Sequence, residues 1–85
     1  MTAQELRNRP EYRLCMNKIR SYKKGFEFTV NFGLIPRPKA NALKIVLRDA
    51  VKAGYIESIE IGLTFEGEFI EEKFRKITDR EGVMS

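Results

Sequence analysis

Polar and hydrophobic positions in the first part of the chain predict a helical turn followed by a longer helix. Thr2 and Glu5 have the spacing of a capping box, which predicts a turn beginning at Ala3. Pro10 would interrupt that turn, but proline is well suited to the first position of a helix. We therefore expect the main helix to run from Pro10 to residue 22 or 23. Its apolar stripe, at three- and four-residue steps, consists of Tyr12, Cys15, Met16, Ile19 and Tyr22.

An alternating stretch after this helix predicts the first strand. Gly25 is suited to end the helix, because glycine readily adopts the left-handed conformation that follows many helices. From Phe26 to Phe32, apolar residues alternate with polar ones and are mostly aromatic or β-branched, the pattern of a half-buried strand. The next six residues, GLIPRP, contain two prolines, which exclude a regular ladder and predict a loop.

A second helix and a second strand follow the loop. We expect the helix to begin at about Pro38 or Lys39, to run to Ala53 and to be terminated by Gly54. Its apolar side consists of Ala40, Leu43, Val46, Leu47, Ala50 and Val51. The strand has one apolar face, preceded by a bend near residues 57 and 58. That face consists of Ile59, Ile61, Leu63 and Phe65.

The segment from Phe69 to Ile77 fits two structures. Ile70, Phe74 and Ile77 recur at steps of four and three, which favours a short third helix. A hairpin strand beginning at Phe69 also fits, and we favour the helix. Residues 78–85 are expected to be frayed, as chain ends that are not tied down usually are.

Together these elements predict a single α+β domain spanning residues 1–85. Two main helices should pack on a small antiparallel sheet, with a short C-terminal helix after it. The shared core is expected to contain Phe28, Val30, Leu43, Leu47, Ile59 and Ile61. Two strands alone do not make a self-sufficient sheet, so a second subunit could extend it. Exposed strand edges and a small core favour a homodimer.

The composition indicates a cytoplasmic protein. Cys15 is the single cysteine, so no internal disulfide can form, and a lone thiol without a secretory segment is typical of a reducing compartment. No apolar run reaches the roughly 18 residues that a membrane helix needs. Because Cys15 lies on the apolar stripe of the first main helix, we expect its thiol to be buried in the core.

Catalytic chemistry has little support in the residues present. The chain has no histidine, the commonest general base near neutral pH and a frequent metal ligand, so neither a metal nor a cofactor is expected. Glu71 and Glu72 fit a solvated face better than an acid–base pair. We expect no enzymatic activity. The remaining enzyme hypothesis is a metal-independent ribonuclease that uses Tyr22, Tyr55 and nearby cations.

The distribution of charge is the feature that points to a function. The net charge is +4, but residues 1–52 contain twelve Lys or Arg and four Asp or Glu, whereas residues 53–85 contain four and eight. At 100° per residue, four polar residues of the second helix fall within an arc of about 80° beside its apolar side. Cations on an exposed helix contact phosphates, and an Asn among them can read a base edge. The predicted nucleic-acid-binding residues are Arg37, Lys39, Asn41, Lys44, Arg48, Lys52, Arg13 and Arg20.

Two resemblances add context. The stretch LRDAVKAGYI, a helix running into Gly-Tyr-Ile and then a strand, is similar to the helix-to-wing passage of winged-helix domains, although GLIPRP replaces the helix that would precede it. The stretches MTAQELRNRPEYRLC, KKGFEFTVNF and FEGEFIEEKFRKI resemble small proteins of unknown function carried on conjugative or transposon-like elements of Firmicutes. The second resemblance implies a mobile-element context and supplies no activity.

Two functional hypotheses follow from the sequence. The first is a small accessory protein that binds nucleic acid, DNA rather than RNA, through a basic helix face. The alternative is a protein-interaction or dimerisation module that uses a sheet edge and has no role with nucleic acid. Cations on a solvated helix face are common, so the basic stripe alone does not separate the two.

Overall fold

The computed structural model describes residues 2–63, 66 and 69–79 of the chain. Two main helices lie on one face of a three-stranded antiparallel sheet, which confirms the predicted α+β class. Within the described residues, no helix is long and apolar enough to cross a membrane. In chain order the elements are α1 (Ala3–Arg7), α2 (Pro10–Ser21), β1 (Glu27–Asn31), a 3-10 turn (Phe32–Leu34), α3 (Arg37–Lys52), β2 (Ile56–Leu63) and β3 (Phe69–Lys76).

The helix boundaries follow the signals read from the sequence. The side chain of Thr2 accepts a hydrogen bond of 3.2 Å from the backbone N–H of Glu5, which caps α1. Pro10 is the first residue of α2, where its missing N–H costs nothing. Gly25 and Gly54 have φ angles of 91° and 83°, and they follow the ends of α2 and α3. Only glycine adopts this backbone conformation without strain.

The central strand of the sheet lies where the sequence favoured a helix. Residues Phe69–Lys76 form β3, and the strand order is β1-β3-β2 with both neighbours antiparallel to β3. The predicted third helix is therefore wrong. Residues four apart share a side on a strand as well as on a helix, so the spacing of Ile70 and Phe74 did not distinguish the two. Pairing decides between them, because β1 and β2 both bond to β3 rather than to each other.

An irregularity in β2 displaces two residues that were expected in the core. Ser58 lies opposite Phe74, and the next paired residue of β2 is Glu60, so Ile59 is an extra residue in the ladder. The alternation along β2 changes phase at this point. Ile61 still faces the side of the sheet that carries the helices, but it is 55% exposed. The assignment of Ile59 and Ile61 to the core is therefore wrong.

The core lies between α2, α3 and the inner face of the sheet, the face that the helices cover. Ile56, at the start of β2, is buried there in place of the two isoleucines that were predicted to be in the core. Phe28, Val30 and Leu43 pack against the core as predicted. Its buried residues are Ile19, Phe32, Ala40, Val46, Leu47, Ala50, Ile56 and Phe74.

The end of β3 is fastened to α2 by a buried lysine. Lys76 is fully buried, and its Nζ donates hydrogen bonds of 2.8, 2.8 and 3.0 Å to the carbonyl oxygens of Arg20, Tyr22 and Asp79. The last carbonyls of a helix lack partners within it, so this cation satisfies two groups at the end of α2. Burial lowers the pKa of Lys76. Thr78 is also buried, so the tail does not fray from residue 78, and residues 80–85 lie outside the described part.

The cysteine is exposed, which corrects its assignment to the core. In α2 only Ile19 is fully buried, while Tyr12 and Met16 pack partly against the core. Cys15 stands next to this narrow stripe, about 60° round the helix from Tyr12 on the side away from Met16. An amphipathic helix at the edge of a small domain buries fewer positions than its apolar pattern contains.

Candidate nucleic-acid interface

The exposed side of α3 carries one row of polar residues, which we name the α3 stripe. Its opposite side holds four of the eight buried core residues, so packing against the sheet fixes which residues point outward. At a rise of about 1.5 Å per residue, the stripe extends over roughly 22 Å. Four of its members are exposed and Lys44 is half-buried. The stripe consists of Arg37, Asn41, Lys44, Arg48 and Lys52.

The single acidic residue of α3 is turned away from the stripe. The carboxylate of Asp49 accepts hydrogen bonds of 2.8 and 3.0 Å from the Arg7 guanidinium and one of 2.6 Å from the Tyr12 hydroxyl. The hydrogen bond from Arg7 is the main reason that the pKa of Asp49 lies below its ordinary value. Asp49 thus joins α3 to α1 and α2, and Lys52 is the cation of the stripe whose charge also helps to lower the pKa of Asp49.

The cations of the stripe differ in how the fold holds them. Within the described residues, neither Arg37 nor Arg48 takes part in a salt bridge. Lys44 lies with its Nζ 5.2 Å from the centre of the Phe32 ring, within the range of a cation–π interaction. The side chains of Arg37, Arg48 and Lys52 are exposed along one side of α3.

Three of the predicted binding residues lie off the stripe. Lys39 is exposed, but helical geometry places it about 160° round α3 from Arg37, on the opposite side. Arg13 is exposed on α2. Arg20 is half-buried, and its guanidinium carbon lies 5.6 Å from the centre of the Tyr55 ring, so this side chain supports the packing of α2 on the domain.

The opposite side of the molecule, which we name the outer sheet face, also carries charge. There Arg75 lies between Glu27 and Glu57, with N–O distances of 3.0 and 3.2 Å, and Lys73 lies 3.3 Å from Glu27. Hydrogen bonds from Arg75 and then Lys73 lower the pKa of Glu27. The cations of this face are therefore matched by carboxylates on neighbouring strands.

A groove of about 460 Å³ lies beside the stripe, between α3 and the β2 edge of the sheet. Its apolar wall consists of Phe32, Leu47, Val51, Ile61 and Phe74. Its polar groups are Lys44, Arg48, Ser58 and Glu72. Sequence reasoning missed this α3–β2 groove because it placed Ile61 in the core. The sequence did contain a signal of it. Ser58 is polar, although a continuous apolar inner face along β2 would require an apolar residue at that position.

The two glutamates considered as an acid–base pair do not lie together. Glu71 and Glu72 are neighbours on β3, so their side chains point to opposite faces of the sheet and do not form a pair. Tyr22 packs against Phe26 and Phe28, with ring centres 4.6 and 5.2 Å apart. In the part of the chain that the structure describes, no three Cys, Asp or Glu residues are grouped in a way that could hold a metal ion.

No family model, no curated protein and no solved structure matches the chain. Support for the fold and for the stripe therefore comes from the residues of this chain alone.

Proposed function

We propose that this protein binds nucleic acid, duplex DNA in the first instance, through the α3 stripe. The observation that carries the proposal is a row of cations on the exposed side of a helix whose only acid is engaged elsewhere. Such a row creates a local positive potential that attracts a polyanion. Phosphate neutralisation by Lys and Arg releases counterions and supplies most sequence-independent affinity for DNA.

The shape of α3 favours DNA over duplex RNA. The B-form major groove admits an α-helix, whereas the A-form major groove of RNA is too narrow and deep for side chains to read. Arg37, Arg48 and Lys52 would contact phosphates on the groove walls. Asn41 lies among them and has the amide group that pairs with the edge of adenine.

The hairpin that follows α3 sets the side from which DNA approaches. β2 and β3 come directly after α3, in the position of a wing in the domains that LRDAVKAGYI resembles. The 3-10 turn Phe32–Leu34 stands where such domains have a further helix. Glu57, Glu60 and Glu66 make the hairpin acidic, so the phosphates would meet α3 and avoid the hairpin.

The test compares two double variants that remove the same types of cation from different surfaces. Arg48→Ala with Lys52→Ala removes an arginine and a lysine from the stripe, and Lys73→Ala with Arg75→Ala removes the same pair from the outer sheet face. Binding to duplex DNA is measured by fluorescence anisotropy across a salt series.

The stripe variant should weaken binding and reduce the slope of log K against log salt by about 2 units. The sheet variant should leave the slope near the wild-type value. Equal slopes in both variants, or no wild-type binding at low salt, would contradict the proposal.

A second candidate function is association with another protein through the β2 edge. β2 is an edge strand, and Val51, Ile61 and Leu63 near it are 40%, 55% and 59% exposed. In a symmetric antiparallel pairing of two β2 strands centred between residues 58 and 59, Glu57 of each subunit would lie opposite Glu60 of the other, and this repulsion disfavours that register. Analytical ultracentrifugation over a wide concentration range separates the candidates. A monomer at all concentrations argues against dimerisation, and a concentration-dependent dimer supports it.

A further inference from the structure

We propose that the α3–β2 groove holds an unpaired nucleotide of the bound nucleic acid, such as a bulged or single-stranded one. This inference rests on the proposed function and makes it more specific. The groove lies directly beside the stripe, and Lys44 and Arg48 belong to both. A strand whose phosphates follow the stripe therefore passes the mouth of the groove.

The wall of the groove suits a base that has left its stack. Val51 and Ile61 supply the exposed aliphatic surface that a base can reach, and the rings of Phe32 and Phe74, which are 7% and 2% exposed, lie beneath it in the core. A base has an apolar face, and ligand pockets are lined mainly by apolar side chains of this kind. The groove volume of about 460 Å³ falls within the range of roughly 300 to 1,000 Å³ that is usual for small-ligand sites.

The charges of the groove match the two ends of a nucleotide. Lys44 and Arg48 stand on the α3 side, where they would bind the phosphate. Glu72 stands on the inner face of β3, half-buried between Ile70 and Phe74 in the strand, and the hydroxyl of Ser58 lies on β2. A carboxylate repels phosphate and accepts hydrogen bonds from the amino group of cytosine. The nucleotide is thereby oriented with its phosphate toward α3 and its amino edge toward Glu72.

This polarity also favours a nucleotide over a peptide or a second copy of the chain. An acidic amphipathic peptide would match the two cations, but its carboxylates would compete for space with Glu72. A second copy that covered the groove by symmetric β2 pairing centred between residues 58 and 59 would place Glu57 of each copy opposite Glu60 of the other. A nucleotide carries its negative charge at one end and amino donors at the other.

The experiment measures a preference for an unpaired base. Three DNA duplexes of the same sequence are compared, one fully paired, one with a single bulged cytosine and one with a single bulged thymine, together with the same set in RNA. The wild-type protein should bind the cytosine-bulged duplex at least about 5-fold more tightly than the paired one. The set in which this preference appears, DNA or RNA, identifies the source of the nucleotide.

Two variants with the same change of charge localise the preference. Ile61→Arg fills the groove, and Leu63→Arg adds the same cation to an equally exposed residue of β2 that is not among the groove-lining residues. Both should keep the wild-type melting temperature and bind paired duplex at least as tightly as wild type. Only Ile61→Arg should lose the preference for the bulge. Glu72→Gln should reduce the preference for bulged cytosine over bulged thymine.

The failures of the two proposals are distinguishable. Salt-dependent binding to paired duplex without any preference for a bulge would overturn the groove inference and leave the proposed function standing. A bulge preference that survives Ile61→Arg would also overturn it. No binding to any of the oligonucleotides would overturn both proposals.

Discussion

The outer sheet face and the α3 stripe each carry several charged side chains, but only on the sheet do these charges neutralise one another. On the sheet, Arg75 bridges Glu27 and Glu57 across three strands. On α3, Arg48 has Lys44 and Lys52 one helical turn away on either side, and the single acidic residue of the helix is bound to α1 and α2. On the outer sheet face the charges are paired within the chain, whereas neither Arg37 nor Arg48 of the stripe takes part in a salt bridge among the described residues.

The difference separates charges that are paired within the chain from charges that repel one another along a helix. Exposed ion pairs such as those of the outer sheet face contribute little to stability, but they leave only a weak external field. Like charges one turn apart on a helix repel each other, so the stripe does not help α3 to fold. A row of residues that opposes folding is better explained by an external anion than by the stability of the domain.

The largest expected effect comes from a buried leucine of α3, the helix that carries the stripe. Leu47 is 3% exposed beneath α3, and Leu47→Ala should lower the free energy of unfolding by about 2 to 5 kcal/mol, because it leaves a cavity between α3 and the sheet. Leu63→Ala, which removes the same atoms at a 59% exposed position, should change it by less than about 0.5 kcal/mol. Urea denaturation measures both. Similar losses in the two variants would show that the face of α3 has been assigned wrongly.

Lys76 extends the comparison to a buried cation, because its ammonium group donates three hydrogen bonds to carbonyl oxygens of the chain. Lys76→Met should leave the carbonyls of Arg20, Tyr22 and Asp79 without this donor and lower the free energy of unfolding by about 1 to 3 kcal/mol. DNA affinity per folded molecule should not change. Arg48→Met should do the opposite, weakening DNA binding without lowering the urea midpoint. A loss of binding in folded Lys76→Met would contradict this division.

Acid should weaken the α3 attachment more than the outer sheet face. Folding lowers the pKa of Asp49 below its ordinary value of 3.8, so the stabilisation is complete above that pH and is lost as the pH falls through the folded-state pKa. Between pH 5 and pH 2.5, the free energy of unfolding should fall less in Asp49→Asn than in the wild type, by on the order of 1 kcal/mol. The corresponding difference for Glu27→Gln should be smaller, because Glu27 is exposed and its charge is screened by solvent. Urea midpoints at both pH values test this, and a larger effect of Glu27→Gln would refute it.

The local elements were predictable from the sequence because each has a local cause. The capping pair of Thr2 and Glu5, the proline at residue 10, and the glycines with positive φ mark helix boundaries within a few residues of the chain. The charge of the stripe was equally local, since helical geometry alone placed Asn41 beside Arg48. The engagement of Asp49 was not predictable, because its partners lie about forty residues away.

The sheet and the groove depended on contacts that no short window contains. β3 has a spacing that suits a helix or a strand, and only its pairing with both β1 and β2 decides. The extra residue at Ile59 results from the register of β2 against β3, and it determines that Ile61 lines a groove instead of the core. Cys15 shows the same limit, since apolar periodicity does not tell how wide a stripe the sheet will cover.

The smallest predicted effect is a change in the free energy of unfolding that has opposite signs when an arginine is removed from each of the two surfaces. Arg48→Gln removes two like-charge pairs at i, i+4, so at low salt it should raise the free energy of unfolding by about 0.4 to 1 kcal/mol. Arg75→Gln leaves Glu27 and Glu57 without their shared cation, so it should lower the free energy of unfolding slightly.

The salt dependence of these two variants separates electrostatics from packing. Both differences should shrink toward zero at about 1 M salt, where the Debye length falls to about 3 Å. Glutamine keeps most of the arginine chain, so the methylene packing is largely retained in both variants. Chemical denaturation in urea at 10 mM and 1 M NaCl measures the effect without adding a charged denaturant. If Arg48→Gln destabilised the protein at low salt, a carboxylate within the chain would have to be compensating Arg48, and the contrast between the two surfaces would fail.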